Sequence, residues 1–377
     1  MAGDGAPILV VNAGSSSIRV AVFDGALRCV LKGMAEGIGG TGRLRMESAS
    51  QDVALPDHGA ALSALLDRLH GSGLGPENLR CAAHRVVHGG TGLTAPVRVT
   101  EAVRAEILRC ATLAPLHNPH HVAAMDRLAE IAPDLPQCAS FDTAFHATNP
   151  EIATRYAIPE DETARGLRRY GFHGLSYAAM VRRWRDVTGE ALPRRVLAYH
   201  LGNGASACAI LDGQSVATTM GYSPLDGLTM GTRSGAIDGN AVLALAERHG
   251  IARAGEILNR ESGLYALSGG ISDMRALLAE DSDAARFAVA HFCYWAARHG
   301  GSLIAAMGGL DAVAFTGGIG ENAARVRAGI CAQLGWAGVT LDDSGNTAPG
   351  AHVAVHVIDA QEEAQIARDA LTLMGAP

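Results

Sequence analysis

Lysine is nearly absent from this sequence: Lys32 is the only one, and the other 30 of the 31 basic residues are arginines. A Walker A loop requires Gly-Lys followed by Ser or Thr, but Lys32 is followed by Gly33 and Met34, which excludes a Walker-type NTPase. Schiff-base chemistry would depend on that single lysine. Any handling of phosphate therefore falls to arginine, whose planar guanidinium suits that anion.

Other scarcities exclude further classes of protein. The seven cysteines contain no Cys-x-x-Cys pair, which argues against a disulfide framework or a zinc site and favours a reducing compartment. No run of about 18 apolar residues is present, and the first residues lack the basic region of a signal peptide. A net charge of −7 argues against a nucleic-acid partner. We expect a cytoplasmic protein with no membrane segment.

The chain contains two similar segments about half its length apart. At 377 residues it exceeds one hydrophobic core, so two domains are expected. Residues 8–25 and 196–213 have the same length and an offset of 188 (196 − 8). Each reads as a strand, a glycine turn, a second strand and Asp-Gly. Gly14 matches Gly202, and Asp24 matches Asp212, so the pattern indicates a duplication.

Strand and helix patterns alternate around these hairpins. Helical spacing is seen over residues 62–69, and Asn118 followed by Pro119 predicts the capped start of another helix. Residues 81–90, 137–146 and 311–322 read as buried strands that lead into polar loops. This order predicts an α/β fold with largely parallel sheets and two halves that face each other. We place one domain at 1–146 plus a C-terminal helix at about 364–377, and the other at 147–363.

Three glycine loops follow predicted strands. They read NAGSSSIR (12–19), HLGNG (200–204) and GGIGEN (317–322). Such turns offer backbone N–H groups to a phosphate, although any one of them alone is common in proteins. Three together indicate a bound nucleotide.

Four charged or titratable residues lie where an α/β sheet carries its chemistry. Arg85 and Asp142 end predicted strands, and His173 lies between aromatic and glycine residues. Arg233 belongs to a long segment, residues 221–240, whose density of Pro, Gly and Arg suggests a positioned loop. For the segment HRVVHGG (84–90), the alternative is that Arg85 is a surface arginine and that its histidines are hydrogen-bonded core residues.

Taken in order, nine motifs of the sequence resemble those of the acetate and propionate kinase family. They are NAGSSSIR, HRVVHGG, APLHNP, FDTAFH, RYGFHG, HLGNG, PLDGLTMGTRSG, FTGGIGEN and QEEAQIA, and they extend from residue 8 to about 368. The resemblance implies the duplicated two-domain fold of acetate and sugar kinases, Hsp70 and actin, with a central nucleotide cleft. It also implies a homodimer.

The resemblance further implies a role for individual residues. Those expected to act on the reacting group are Asp142, His173, Arg233 and Arg85. Those expected to hold the acyl substrate are Arg85, Val87, Leu116 and Pro224. Those expected to bind ATP are Arg19, His200, Leu201, Gly202, Asn203, Gly204, Asp273, Met274, Arg275, Gly318, Ile319, Gly320, Glu321 and Asn322. Those expected to hold Mg²⁺, with Mn²⁺ as a substitute, are Asn12 and Glu362.

The implied reaction moves the γ-phosphoryl group of ATP to acetate and gives acetyl phosphate and ADP. A carboxylate is already ionised at pH 7, so we favour an orienting role for Asp142 over proton abstraction. Propionate or another short-chain carboxylate is the alternative acceptor. A non-catalytic ATP-dependent clamp would have no reason to keep Arg85, His173 and Arg233 together, and a sugar kinase would need a polar sugar pocket.

Four positions depart from the family's usual residues. Arg19 stands where lysine is usual, and Tyr177 stands where a histidine is usual. Ala236 replaces an acidic or polar residue, and Gly239 replaces a proline. They bear on substrate preference and loop stiffness rather than on the class of reaction.

Overall fold

The computed structural model describes residues 5–115, 117–342, 345 and 347–375. The strands are β1 (Ile8–Ala13), β2 (Ser17–Phe23), β3 (Cys29–Glu36), β4 (Gly40–Met46), β5 (Ala49–Leu55), β6 (Cys81–Val86), β7 (Val97–Arg98), β8 (Gln137–Phe141), β9 (Arg195–Leu201), β10 (Ala205–Leu211), β11 (Gln214–Thr218), β12 (Ala312–Thr316) and β13 (Ala354–Val357). The helices are α1 (His58–Gly71), α2 (Glu101–Arg109), α3 (Asn118–Ile131), α4 (Glu151–Thr154), α5 (Glu160–Ala164), α6 (Gly174–Thr188), α7 (Gly239–His249), α8 (Ile251–Arg260), α9 (Gly263–Ser268), α10 (Met274–Ala279), α11 (Asp283–Met307), α12 (Gly317–Asn322), α13 (Ala324–Ala332) and α14 (Glu362–Leu373).

The chain divides into two compact units. Unit 1 consists of residues 1–145 and 361–377, and unit 2 consists of residues 146–360. The boundaries fall at 145/146 and 360/361, against 146/147 and 363/364 expected from the sequence. The C-terminal helix α14 belongs to unit 1, where it packs on β1, β6 and β8.

The two units contain sheets of matching topology, which confirms the duplicated fold. The order in unit 1 is β5-β4-β3-β2-β1-β6-β8-β7, and in unit 2 it is β11-β10-β9-β12-β13. In both sheets a hairpin, β1–β2 or β9–β10, carries a third antiparallel strand on one side. On its other side the first strand of the hairpin pairs in parallel with β6 or β12.

The prediction of largely parallel sheets was wrong. Among the named strands of the described residues, those that pair in parallel are β1, β6 and β8 in unit 1 and β9, β12 and β13 in unit 2. Turns of two to five residues join β1 through β5 in series and β9 through β11, and such short connections reverse the chain, so these strands pair antiparallel. The short edge strand β7 also pairs antiparallel with β8, although α2 and α3 separate them in the chain. The parallel strands are nevertheless the ones whose carboxyl ends lead into the predicted polar loops.

Alternating apolar residues place one face of the unit 1 sheet against α1 and α3. Leu9 and Val11 of β1 are fully buried in a cluster with Leu62, Leu65 and Leu69 of α1. Burial of each such leucine contributes about 1.5–3 kcal/mol. The helical spacing over residues 62–69 is therefore confirmed, and it reflects the buried side of α1.

Asn118 does not cap α3 as predicted. The N-cap position is His117, and Asn118 is the first residue of the helix, fully buried. Its side-chain amide donates to the carbonyl oxygens of His88 and Ile107, at 2.9 and 3.0 Å. Asn118 thus ties the loop after β6 to α2, a tertiary contact that capping patterns do not reveal.

In the described ranges, none of the helices is both long and apolar enough to cross a membrane.

Two buried histidines predict a loss of stability in acid. Burial lowers the pKa of His84 and of His146 from 6.5 to about 4, so both are neutral in the native protein at pH 7. An unfolded histidine takes up a proton as the pH falls below about 6.5, which favours the unfolded state between pH 6.5 and 4. Each histidine should cost roughly 1–3 kcal/mol over that interval.

The measurement is the free energy of urea unfolding at pH 7.5 and at pH 5, for wild type, His84→Gln and His146→Gln. Each variant should lose less stability than wild type between the two pH values. The exposed His352 supplies the matched control, because His352→Gln should leave the pH dependence unchanged. An equal change of the unfolding free energy with pH in wild type, His84→Gln and His146→Gln would contradict the assignment of the acid sensitivity to these two histidines.

Candidate active site

Arg85, Asp142 and Asn12 lie together in unit 1 near the carboxyl ends of parallel strands. Arg85 is on β6, Asp142 follows β8, and Asn12 is near the end of β1. Arg85 Nε donates to Asp142 Oδ1 at 3.0 Å, and Nη2 donates to Oδ2 at 2.6 Å. Its Nη1 donates to Asn12 Oδ1 at 3.4 Å. This two-pronged pairing fixes the direction of the guanidinium.

Burial and charge oppose each other in the Arg85–Asp142 pair. The Asp142 side chain is 3% exposed and that of Arg85 is 22% exposed. Burial raises the pKa of Asp142, and the neighbouring guanidinium opposes that rise. Burial also disfavours the charge on Arg85, but the Asp142 carboxylate outweighs it and raises the pKa of Arg85. Each group therefore stabilises the charged form of the other.

Glu362 and His117 lie within electrostatic range of this pair. The negative charge of Glu362 raises the pKa of both Arg85 and Asp142, and His117 lowers that of Asp142. Glu362 is the first residue of α14, whose packing on β6 and β8 brings it to the pair. His117 was not among the predicted site residues. The motif APLHNP contains it, but only Leu116 of that motif was expected to have a role.

The oxygen atoms around Arg85 suit a hard cation such as Mg²⁺. Asn12 contributes an amide oxygen, and Asp142 and Glu362 contribute carboxylates. Mg²⁺ is usually held by one or two carboxylates together with water and substrate phosphates. Within the described ranges no group of three or more His, Cys, Asp or Glu residues could hold a metal by itself. A magnesium ion here would therefore depend on phosphate oxygens as well.

The residues predicted for the acyl tail occupy different parts of the chain. Val87 directly follows β6 in unit 1 and is 5% exposed. Pro224 is in unit 2, where its carbonyl oxygen accepts a bond of 3.4 Å from Arg233 Nη1. Leu116 lies outside the described residues.

Arg19, which was predicted to bind ATP, is exposed on β2 and is the register partner of Asn12 on β1.

Arg233 lies in a loop of unit 2 that backbone hydrogen bonds hold in place. Ser262 N–H donates to Thr232 O at 3.0 Å, and Ser234 N–H donates to Leu258 O at 3.1 Å. Gly263 has φ +64°, and a Cβ there would lie 2.2 Å from Met230 O, so only glycine allows α9 to approach the loop. The segment that looked positioned in the sequence is thus fastened to α8 and α9.

The Arg233 guanidinium has no carboxylate partner among the residues that the structure describes. The side chain is half-buried, and within the described residues its guanidinium makes one hydrogen bond, a long one from Nη1 to Pro224 O. Burial lowers the pKa of the Arg233 guanidinium, yet arginine keeps its charge in proteins. A partly desolvated cation without a counter-ion favours binding of an anion.

His173 lies beside Arg233. It precedes α6 with φ +58°, a left-handed conformation that costs about 1 kcal/mol or more for a residue other than glycine. A Cβ built on Gly204 would be 3.4 Å from His173 Nε2 and 3.8 Å from Arg233 Nη1. Both side chains therefore point to the same small space above Gly204, which a larger residue would fill.

A cavity of about 540 Å³ lies in unit 2 and adjoins this space through the Gly202–Gly204 loop. Eight of the residues predicted for ATP line it: Gly202, Asn203, Asp273, Met274, Arg275, Gly318, Ile319 and Asn322. The Asp273 carboxylate accepts from Ala276 N–H at 2.9 Å and so caps α10. Ser272, Leu278 and Ala323 also line the cavity. Ser272 and Ala323 are direct neighbours of predicted residues in the sequence, and Leu278 lies one helical turn after Arg275 in α10.

Other residues predicted to bind ATP do not line this cavity. Leu201 and Gly320 are buried, while His200 and Gly204 lie on the side of His173. The Glu321 carboxylate accepts from Gly317 N–H at 3.0 Å and from Ala360 N–H at 2.8 Å. Glu321 therefore stabilises the turn between β12 and α12, which shapes the cavity without lining it.

The chain is similar to known proteins along nearly its whole length. The sequence model described as "Acetokinase family" matches residues 7–368. A relative named acetate kinase from Rhodopseudomonas palustris is 44% identical and covers 96% of both chains. A crystal structure of Porphyromonas gingivalis acetate kinase matches with a TM-score of 0.91 and 32% identity, covering 98% of this chain and 100% of that one. A propionate kinase structure from Francisella tularensis matches with a TM-score of 0.91 and 34% identity, covering 97% and 98%.

Proposed function

Because the chain belongs to the acetokinase family, we propose that it transfers the γ-phosphoryl group of ATP to acetate and forms acetyl phosphate and ADP. One observation supports this most strongly. The Gly202–Gly204 loop borders the nucleotide-sized cavity on one side and the His173 and Arg233 donors on the other. A nucleotide in the cavity would place its terminal phosphate toward two groups that suit anionic oxygen.

The transfer needs positioning and charge stabilisation more than acid–base chemistry. A carboxylate oxygen attacks the γ-phosphorus while the bond to the β–γ bridging oxygen breaks, and that oxygen leaves with ADP. Negative charge is spread over the equatorial oxygens during transfer, and fixed cations stabilise it. We assign that task to Arg233 and His173, and we assign the acceptor carboxylate to Arg85. Asp142 orients Arg85.

Phosphorus-31 NMR tests the reaction directly. With ATP, Mg²⁺ and acetate, the signals of acetyl phosphate and ADP should grow in equal amounts. Release of inorganic phosphate without acetyl phosphate would instead favour the ATP-dependent clamp.

We propose Asn12 and Glu362 as the protein ligands of Mg²⁺, with Mn²⁺ as a substitute. When bound, the ion would neutralise charge on the nucleotide phosphates. Glu362→Gln should raise the Mg²⁺ concentration for half-maximal rate roughly tenfold, because a ligand loses its charge. Lys32 pairs with the adjacent Glu363 at 3.2 Å on the surface, so Glu363→Gln is the matched control. A Mg²⁺ titration that Glu362→Gln leaves unchanged would make Glu362 a structural residue.

Propionate is the second candidate acceptor, favoured by the similarity to the propionate kinase structure. Val87, which the family resemblance assigns to the acyl pocket, is rigid and medium-sized, and this suggests a pocket that closes beyond a methyl group. One methylene is worth about 1–3 kcal/mol in such a pocket, so propionate should be the poorer substrate and butyrate poorer still.

Val87→Ala should narrow the ratio of kcat/KM between acetate and propionate, mainly by improving propionate. Val122→Ala, at a buried valine of the unit 1 core, serves as the control and should leave the ratio unchanged. A ratio that Val87→Ala does not alter would remove Val87 from the pocket wall.

We also propose a cytoplasmic homodimer that binds neither nucleic acid nor membrane. The negative net charge and seven unpaired cysteines, six of them buried, support the compartment and the absence of nucleic acid. The dimer is supported by family resemblance, and light scattering coupled to size exclusion would test it.

A further inference from the structure

A chain of hydroxyl groups leads from inside unit 2 to His173. His173 Nδ1 lies 2.9 Å from Ser206 Oγ on β10. Ser206 Oγ lies 2.5 Å from the hydroxyl oxygen of Tyr177, one turn further along α6. Tyr177 and Ser206 are both fully buried. We refer to Tyr177, Ser206 and His173 in this order as the hydroxyl relay.

The relative acidity of the hydroxyl groups sets the direction in which hydrogen bonds are donated along the relay. A phenol is a stronger acid than an aliphatic alcohol, so in so short a contact Tyr177 O–H donates to Ser206 Oγ. The Ser206 proton is then left for His173 Nδ1.

We propose that Tyr177 and Ser206 are positioning residues that hold neutral His173 in the tautomer with its proton on Nε2. Nδ1 accepts from Ser206, so Nε2 must carry the proton. Nε2 faces the space above Gly204 that Arg233 Nη1 also faces. His173 Nε2 and Arg233 Nη1 then both present hydrogen-bond donors to that space. The opposite tautomer would present a lone pair to an anionic oxygen and repel it.

The orientation of the ring is fixed independently of the relay. The His173 ring stacks on that of His200 with centroids 4.1 Å apart and planes 26° apart. His200 Nδ1 in turn lies 2.9 Å from Ser176 Oγ. Stacking sets the plane of the His173 ring, and the relay sets which nitrogen carries the proton.

The claim that the Nε2 proton binds a phosphoryl oxygen rests on the proposed function. The assignment of the tautomer does not, because nitrogen chemical shifts reveal the tautomer of His173 whether or not the protein catalyses a reaction. Long-range proton–nitrogen spectra of protein labelled with ¹⁵N-histidine distinguish the two neutral tautomers, and loss of a signal in His173→Gln assigns the residue. Wild type should show the Nε2–H pattern at a pH where His173 is neutral.

Tyr177→Phe and Ser206→Ala should each shift the His173 signals toward the other tautomer. Each should also lower kcat about 3–10-fold, the effect of losing one neutral hydrogen bond, with KM for ATP nearly unchanged. Tyr199→Phe is the matched control, since Tyr199 is equally buried and its hydroxyl donates to Ala296 O at 3.0 Å. Tyr199→Phe should leave the His173 signals in place.

A wild-type His173 with its proton on Nδ1 would overturn the inference. So would unchanged signals in both relay variants. Ser206→Ala removes a single atom, so it keeps the test available if Tyr177→Phe does not fold. Failure of the proposed function would appear separately, as absence of acetyl phosphate from a protein whose His173 still shows the Nε2–H pattern.

Discussion

Replacing Arg233 with alanine should lower kcat by roughly 10³–10⁵, the range typical of a cation that stabilises a phosphoryl transition state. The expectation rests on the isolation of its guanidinium, which has no carboxylate partner in the described part of the chain. Its loop is held by backbone hydrogen bonds to α8 and α9, so the charge is placed before substrate binds. Affinity for ATP should change far less.

The two measurements are steady-state kcat and the equilibrium binding of ATP in the absence of acetate. Arg233→Lys should recover only part of the rate, because lysine keeps the charge but loses the planar fork. Arg253→Ala removes an exposed arginine that pairs with Glu256 and Glu261 on the surface, and it should leave kcat unchanged. An Arg233→Ala enzyme that retains more than a tenth of the wild-type kcat would exclude Arg233 from the transition state.

Removal of the Asp142 carboxylate should damage both stability and activity. Asp142→Ala leaves the partly buried Arg85 guanidinium without its hydrogen-bonded carboxylate, which costs about 3–5 kcal/mol of unfolding free energy. Arg85 also loses both bonds that direct it, so kcat/KM for acetate should fall by roughly 10²–10³. Asp142→Asn should lie between wild type and alanine, because an amide keeps one acceptor.

The chain offers a control of the same geometry. Arg104 Nε donates to Asp126 Oδ1 at 2.5 Å and Nη2 donates to Oδ2 at 2.6 Å, but these side chains are 31% and 39% exposed. Asp126→Ala should therefore cost less than about 1 kcal/mol and leave kcat/KM unchanged. Equal losses of stability in the two variants would mean that burial does not matter for the Arg85–Asp142 pair.

Local patterns predicted the parts of the fold that depend on neighbouring residues. The two hairpins, α1 and the strand at residues 81–86 follow from apolar spacing and turn chemistry within short windows. The direction of strand pairing did not follow, because it depends on turns that the apolar pattern alone does not describe. Asn118 was misassigned for a related reason: its partners, His88 and Ile107, are 30 and 11 residues away.

The candidate site shows the same division. Glycine loops and the charges of Arg85, Asp142 and Arg233 are visible as motifs, and the structure places them at loops or strand ends. The hydroxyl relay is invisible in the sequence, because Tyr177 and Ser206 are 29 residues apart and each resembles an ordinary core residue. The nearness of His117 and Glu362 to Asp142 likewise arises from how α3 and α14 pack on the sheet.

Acyl hydroxamate formation with ATP, Mg²⁺ and hydroxylamine, compared across acetate, propionate and butyrate, tests the central claim most directly. Each acyl phosphate is trapped as its hydroxamate, so the assay reports the reaction and the acceptor together. We expect product from all three acids, with kcat/KM in the order acetate, propionate, butyrate. Absence of hydroxamate with every acid would contradict phosphoryl transfer to a carboxylate, and a higher kcat/KM for propionate than for acetate would contradict the choice of acceptor.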